Sequence, residues 1–72
     1  MNAASLITVL LDGAPHALPE GSTLAALVAS LGHEPAAVTT AVNGEFVPRV
    51  RRDAHELKAG DAILLFQPIV GG

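Results

Sequence analysis

The sequence contains no cysteine, tryptophan or tyrosine, and its aromatic residues are limited to Phe46 and Phe66. Without cysteine, the chain has no disulfide framework, no cysteine-based metal site and no thiol nucleophile. No uninterrupted apolar run approaches the roughly 18 residues of a membrane helix, and the first residues lack the positive charge that begins a signal peptide. We therefore expect a cytoplasmic protein with no membrane partner.

Basic residues are also scarce, and they fall in one window. The chain has four Lys and Arg residues against seven Asp and Glu, which gives a formal charge of −3. Residues 1–48 contain none of the four; Arg49, Arg51, Arg52 and Lys58 follow within ten residues. Because nucleic-acid-binding proteins need a basic face and stacking rings, no nucleic-acid partner is expected. We predict that the window is a solvated turn, with a docking patch for an acidic partner as the alternative.

No arrangement of side chains indicates catalysis within the chain. The three histidines, His16, His33 and His55, lack metal-ligand spacing and are predicted to lie exposed in loops. The serines have no nucleophile-elbow context, the carboxylates form no pairing motif, and the glycines form no phosphate-binding loop. We therefore expect a protein that is not an enzyme and that binds no metal or cofactor.

The 72 residues, half of them hydrophobic, suffice for one folded domain. Asp12-Gly13 and Asn43-Gly44 each follow an apolar, β-branched run and predict tight hairpin turns. Pro19 cannot donate to a ladder, which places its strand at a sheet edge. The predicted elements are strands at 6–11 and 16–20, a helix between 22 and 32, strands at 38–42 and 46–47, a loose turn around 53–56 and a last strand at 62–66.

The helix is predicted to begin at Ser22 as its N-cap and to stop at Gly32. One apolar stripe runs along it, formed by Leu24, Leu27, Val28 and Leu31. This stripe needs a sheet face to cover, and right-handed crossover favours parallel pairing of the first and last strands at the centre. The last strand is apolar throughout, so we expect it to be central and covered or contacted on both faces. The order predicts an α+β, ubiquitin-like β-grasp fold: a mixed sheet of about five strands with one main helix packed across it.

We assign residues 1–66 to this domain and 67–72 to a flexible tail. The sequence ends at Gly71-Gly72, and the Gly72 α-carboxylate is the one unusual reactive group. As a weak nucleophile it could attack the α-phosphate of ATP bound by another protein and become an acyl-adenylate. Glycine adds no side chain that would crowd this attack, and it eases the threading of Ile69, Val70 and Gly71 through a channel. A frayed or truncated end is the alternative.

Two stretches resemble the thiamin-biosynthesis sulfur carriers of the ThiS family: VNGEFVPR at 42–49 and GDAILLFQPIVGG at 60–72. The resemblance implies that an ATP-dependent enzyme related to ubiquitin activators adenylates Gly72. It further implies that a persulfide donor of cysteine desulfurase or rhodanese type converts Gly72 to a thiocarboxylate, and that thiazole synthase takes the sulfur. The chain would be a protein co-substrate. Many relatives carry a tryptophan after the VPR stretch, where this sequence has Arg51-Arg52-Asp53, so the contacts of this loop stay open.

Alternation along the last strand predicts a docking patch beside the tail. If Ile63 and Leu65 face the helix, then Leu64 and Phe66 face outward, and Phe46 could extend the patch from the neighbouring hairpin. The alternative is reversed parity, or a Phe66 side chain that closes the core.

Other functions fit the same features. The small subunit of molybdopterin synthase shares the fold, the tail and the activation chemistry, although VNGEFVPR and the short chain favour the thiamin pathway. A sulfur carrier for another product such as cysteine, or a protein-conjugating modifier, is a second alternative. A β-grasp binding module with an incidental Gly-Gly end is a third, from a different class.

Overall fold

The computed structural model describes residues 5–67. In this range, no helix is long and apolar enough to cross a membrane. The elements are β1 (Leu6–Leu11), β2 (Ala14–Pro19), α1 (Leu24–Ser30), a first 3₁₀ helix (Pro35–Ala37), β3 (Thr39–Val42), β4 (Glu45–Val47), a second 3₁₀ helix (Arg49–Ala54) and β5 (Ala62–Phe66).

The five strands form one mixed sheet in the order β2-β1-β5-β3-β4. β1 and β5 pair in parallel at its centre, while the β1–β2, β3–β5 and β3–β4 pairs are antiparallel. β2 lies at one edge and ends at Pro19, as its missing N–H requires. The predicted α+β, β-grasp topology is therefore confirmed.

Two hairpin turns of the same backbone form connect β1 to β2 and β3 to β4. Asp12 and Gly13 have φ of 50° and 85°, and Asn43 and Gly44 have φ of 53° and 84°. Positive φ at both central residues defines the tight turn that matches the twist of the flanking strands. Such a turn pairs the residues on either side of it, so β2 begins at Ala14, two residues before the predicted start at 16.

The predicted N-cap of α1 is wrong by one residue. Thr23, in an extended conformation, accepts a hydrogen bond through Oγ1 from the Ala26 N–H at 3.1 Å. The Ser22 hydroxyl instead donates to the Pro19 carbonyl at 2.6 Å. Ser and Thr are both good caps, and in adjacent positions only the path of the chain decides between them. The helix ends as predicted, with Gly32 at φ 82°.

The core lies between α1 and one face of the sheet. The predicted helix stripe is buried there, with Leu31 partly so. Leu57 is only 1% exposed although it follows no periodic pattern, because its N–H donates to the Ser22 carbonyl at 2.9 Å and ties the loop beneath the helix start. The buried hydrophobic residues are Val9, Leu18, Leu24, Leu27, Val28, Val38, Val42, Val47, Leu57 and Ile63.

Candidate functional site: the open sheet face at the base of the tail

The sheet face opposite α1, which we call the open face, is not covered by any described residue. Its positions alternate with the buried ones along each strand and carry no charged side chain. Five of them hold large apolar side chains that are more than a third exposed: Leu6, Leu10, Phe46, Leu64 and Phe66. The remaining positions are Thr8, Pro15, Ala17, Pro19, Thr39, Ala41 and Ala62. A contiguous apolar surface of this kind marks an interaction site more often than a solvent-facing one.

β5 shows how the two faces divide. Leu64 is 40% exposed and Phe66 51%, whereas Ile63 is fully buried and Leu65 packs against the core. The predicted orientation of these side chains is confirmed. The expectation that β5 is covered on both faces is wrong for the described residues, because α1 covers one face and nothing in residues 5–67 covers the other.

Phe46 lies in the same transverse row as Leu64. Ala41 of β3 pairs with Phe46 on one side and with Leu64 on the other, so the three residues share a face. Neighbouring strands lie about 4.8 Å apart, which puts the two large side chains roughly 10 Å apart across the small alanine. Phe46, Leu64 and Phe66 form what we call the tail-side patch, and their docking role stays a prediction.

The tail-side patch lies where β5 leads into the predicted tail. Phe66 pairs with Thr39 as the last strand residue, and Gln67 is the last described residue. The predicted threading residues Ile69, Val70 and Gly71 and the predicted sulfur-carrying Gly72 lie outside the described residues. A surface suited to a partner therefore ends at the residue from which the predicted reactive segment departs.

The basic window is not a solvated turn throughout, because Arg52 is 3% exposed. Its Nε donates to Thr40 Oγ1 at 3.1 Å, Nη1 donates to the Pro35 carbonyl at 2.9 Å, and Nη2 donates to the Val38 carbonyl. Thr40 in turn donates its hydroxyl proton to the Val47 carbonyl at 3.0 Å. One guanidinium thus ties the second 3₁₀ helix to the first and to β3.

Arg52 is therefore a buried structural residue, which the sequence did not predict. Burial lowers the pKa of its guanidinium, and the charge of Arg49 acts in the same direction; an arginine nevertheless stays protonated in a protein. Arg49 and Arg51 are exposed, so a docking patch in this window could use them and not Arg52. The predicted turn around 53–56 is instead a 3₁₀ helix at Arg49–Ala54, and its register selects which arginine turns inward.

The histidines do not form a site. His16 lies in β2, His33 follows the end of α1, and His55 follows the second 3₁₀ helix. All three side chains are half-buried, so the prediction that they are exposed is wrong. Within residues 5–67, no three His, Cys, Asp or Glu side chains are grouped closely enough to hold a metal ion.

Comparison with known proteins agrees with this geometry. The model of the ThiS family matches residues 7–72. The sulfur carrier protein ThiS of Escherichia coli (strain K12) is 40% identical over 52 residues, which cover 72% of this chain and 79% of the relative. A crystal structure of the thiamine biosynthesis protein ThiS from Geobacter metallireducens superposes with a TM-score of 0.80 at 28% identity and covers 92% of this chain and 100% of that one. The resemblance recognised in the sequence is confirmed, and the chain belongs to the ThiS family.

Proposed function

We propose that this protein carries sulfur on Gly72 for the thiazole ring of thiamin. An adenylating enzyme related to ubiquitin activators uses ATP to convert the Gly72 carboxylate to an acyl-adenylate and releases pyrophosphate. The terminal sulfur of a persulfide donor, of cysteine desulfurase or rhodanese type, displaces AMP and forms an acyl disulfide with Gly72. A thiol of the partner enzymes then attacks the donor's sulfur in that S–S bond, which releases the Gly72 thiocarboxylate and leaves a disulfide between the thiol and the donor. Thiazole synthase then takes the sulfur, and the carboxylate is regenerated for the next cycle.

One observation supports this function best: Leu64 and Phe66 of the tail-side patch lie on β5, the strand that leads into the predicted reactive tail. Leu64 is 40% and Phe66 51% exposed on β5, and the chain continues from Phe66 towards Gly72. A partner that binds the open face therefore has the terminus within reach of its own active site. Residues 1–66 act as the docking domain and 67–72 as the reactive segment, to which the family match also extends.

In this scheme the protein is a co-substrate. The ATP site, the persulfide and the catalytic groups belong to the partners, and the β-grasp domain contributes recognition. Apolar contact through Phe46, Leu64 and Phe66 excludes water around the bound strand and holds the carboxylate near the nucleotide, which replaces an encounter in solution by an oriented one. The chain itself binds no cofactor; ATP is bound by the adenylating partner.

Reconstitution tests which pathway takes the sulfur. The thiocarboxylate form, prepared with the adenylating enzyme and a persulfide donor, is offered separately to thiazole synthase and to the large subunit of molybdopterin synthase. We expect thiazole formation that scales with the amount of thiocarboxylate, and none from a chain that lacks Gly72. Turnover only with the molybdopterin enzyme would assign the protein to that pathway, and equal activity without Gly72 would make it a binding module.

A further inference from the structure

The two hairpin turns bind β5 near its two ends in the same way, through a backbone N–H and a side-chain oxygen. Asn43 donates its backbone N–H to the Ala62 carbonyl at 2.8 Å and accepts the Ala62 N–H through Oδ1 at 2.9 Å. Asp12 donates its N–H to the Ile63 carbonyl at 2.9 Å and accepts the Leu65 N–H through Oδ1 at 3.1 Å. Each turn residue therefore extends a ladder with its side chain after its own strand has ended.

The Asp12 side chain is needed as an acceptor because β1 ends before β5 does. The parallel pairing of β1 and β5 covers Leu10↔Ala62 and Leu11↔Ile63, and β1 then turns away at Asp12 with φ 50°. Leu65 points its N–H to the same edge as Ile63, since strand residues two apart share an edge. The Asp12 carboxylate supplies the acceptor that a longer β1 would have supplied.

We infer that Asp12 is a positioning residue for the reactive tail. This inference rests on the proposed function. Leu65 is the last β5 residue whose N–H is held from the β1 side among the described residues, and the tail begins two residues later. With the hydrogen bond in place, the backbone at Leu65 is fixed to the β1–β2 turn. Without it, the end of β5 samples more directions, and a partner that threads the tail must restrict that motion when it binds.

Two matched variants isolate this effect. Asp12→Gly and Asn43→Gly each remove the side-chain acceptor of one β5 amide from a positive-φ turn position that glycine occupies without strain, and each leaves a Gly-Gly turn. Asn43→Gly also removes the donation from Asn43 Nδ2 to Asp61 Oδ1 at 3.0 Å, so the control loses more side-chain bonding than Asp12→Gly does. The first frees β5 next to the tail, and the second frees its far end. Asp12→Asn keeps the acceptor and the turn conformation and removes only the charge.

The measurements are ATP–pyrophosphate exchange by the cognate adenylating enzyme and hydrogen exchange at the Leu65 amide. We expect Asp12→Gly to raise KM for this protein about three- to tenfold, the range that the loss of one ordinary hydrogen bond corresponds to. Its kcat should stay within about twofold, because the lost interaction is the same in ground and transition states. Leu65 exchange should speed up by a similar factor in Asp12→Gly only.

Asp12→Asn should behave as wild type in both measurements, and Asn43→Gly should lower the thermal midpoint without raising KM. If Asp12→Gly keeps the wild-type KM, or if Asn43→Gly raises KM equally, Asp12 has no positioning role. If Asp12→Asn matches Asp12→Gly, the charge acts and not the hydrogen bond, which also overturns the inference. If wild type supports no exchange with an enzyme active on another ThiS-family protein, the proposed function itself fails and the inference with it.

Discussion

The sheet face beneath α1 and the open face opposite it are built from the same kinds of side chain. Ile63 and Leu64 are neighbours on β5, yet Ile63 is fully buried and Leu64 is 40% exposed. A helix covers the first face, and within residues 5–67 nothing covers the second. Hydrophobicity alone therefore does not separate a core position from a docking position. The difference is whether another element of the chain, here α1, packs on that face of the sheet.

The comparison also separates stability from recognition. The side chains beneath α1 are packed in the folded protein, so truncating one of them removes packing contacts and lowers the free energy of unfolding. The large side chains of the open face already meet solvent in the folded protein. Truncating one of them should therefore change the free energy of unfolding little and lower mainly the affinity for a partner. Six substitutions test this division, from the largest expected effect to the smallest.

Ile63→Ala should destabilise the protein by about 2–5 kcal/mol, because it leaves a cavity in the centre of the core. Its neighbour Leu64→Ala should cost less than about 1 kcal/mol, since the leucine already meets solvent. Urea unfolding followed by circular dichroism measures both. Equal losses at the two positions would show that the open face is covered in solution.

Arg52→Met should cost about 1–3 kcal/mol, because it leaves the Pro35 and Val38 carbonyls without their buried donor. Arg51→Met, an exposed neighbour in the same 3₁₀ helix, is the control and should change stability by less than about 0.5 kcal/mol. The same unfolding measurement applies. Indistinguishable midpoints for the two variants would mean that the Arg52 contacts do not contribute to the fold.

Phe66→Ala should weaken binding of the adenylating enzyme at least about tenfold, because a large aromatic side chain at the centre of an interface contributes strongly. Its stability loss should stay below about 1 kcal/mol. Titration calorimetry with the enzyme and thermal unfolding of the free protein give the two numbers. A large loss of stability with binding intact would place Phe66 in the core.

Leu6→Ala tests how far the docking surface extends over the open face. Leu6 is 67% exposed at the start of β1, away from the end of β5 that leads into the tail. We expect the affinity for the adenylating enzyme to stay within about twofold of wild type, and the free energy of unfolding to stay within about 0.5 kcal/mol of wild type. A loss of affinity comparable to that of Phe66→Ala would extend the interface over the whole face.

Local sequence chemistry was enough to predict most of the fold. Asp-Gly and Asn-Gly fix two hairpins, Pro19 marks an edge, and alternation along β5 orients Leu64 and Phe66. The errors lie where tertiary contacts choose between equivalent residues: Thr23 over Ser22 as the cap, and Arg52 over Arg49 and Arg51 as the buried cation.

Long-range contacts account for the rest. Leu57 packs in the core, and its N–H donates to the carbonyl of Ser22, 35 residues earlier and just before α1; no local pattern encodes this contact. The continuous apolar run of β5 predicted burial on both faces, because a strand with one face buried and the other used for docking has the same composition as a fully buried strand.

The most direct test of the central claim is the mass of Gly72 after sulfur loading. The protein is incubated with ATP, its adenylating enzyme and a persulfide donor, and the intact chain is then fragmented in a mass spectrometer. We predict the exchange of one oxygen for one sulfur in the fragment that contains Gly72, with no change when ATP is omitted. An unchanged mass with reagents that load another ThiS-family protein, or sulfur located at any other residue, would contradict it.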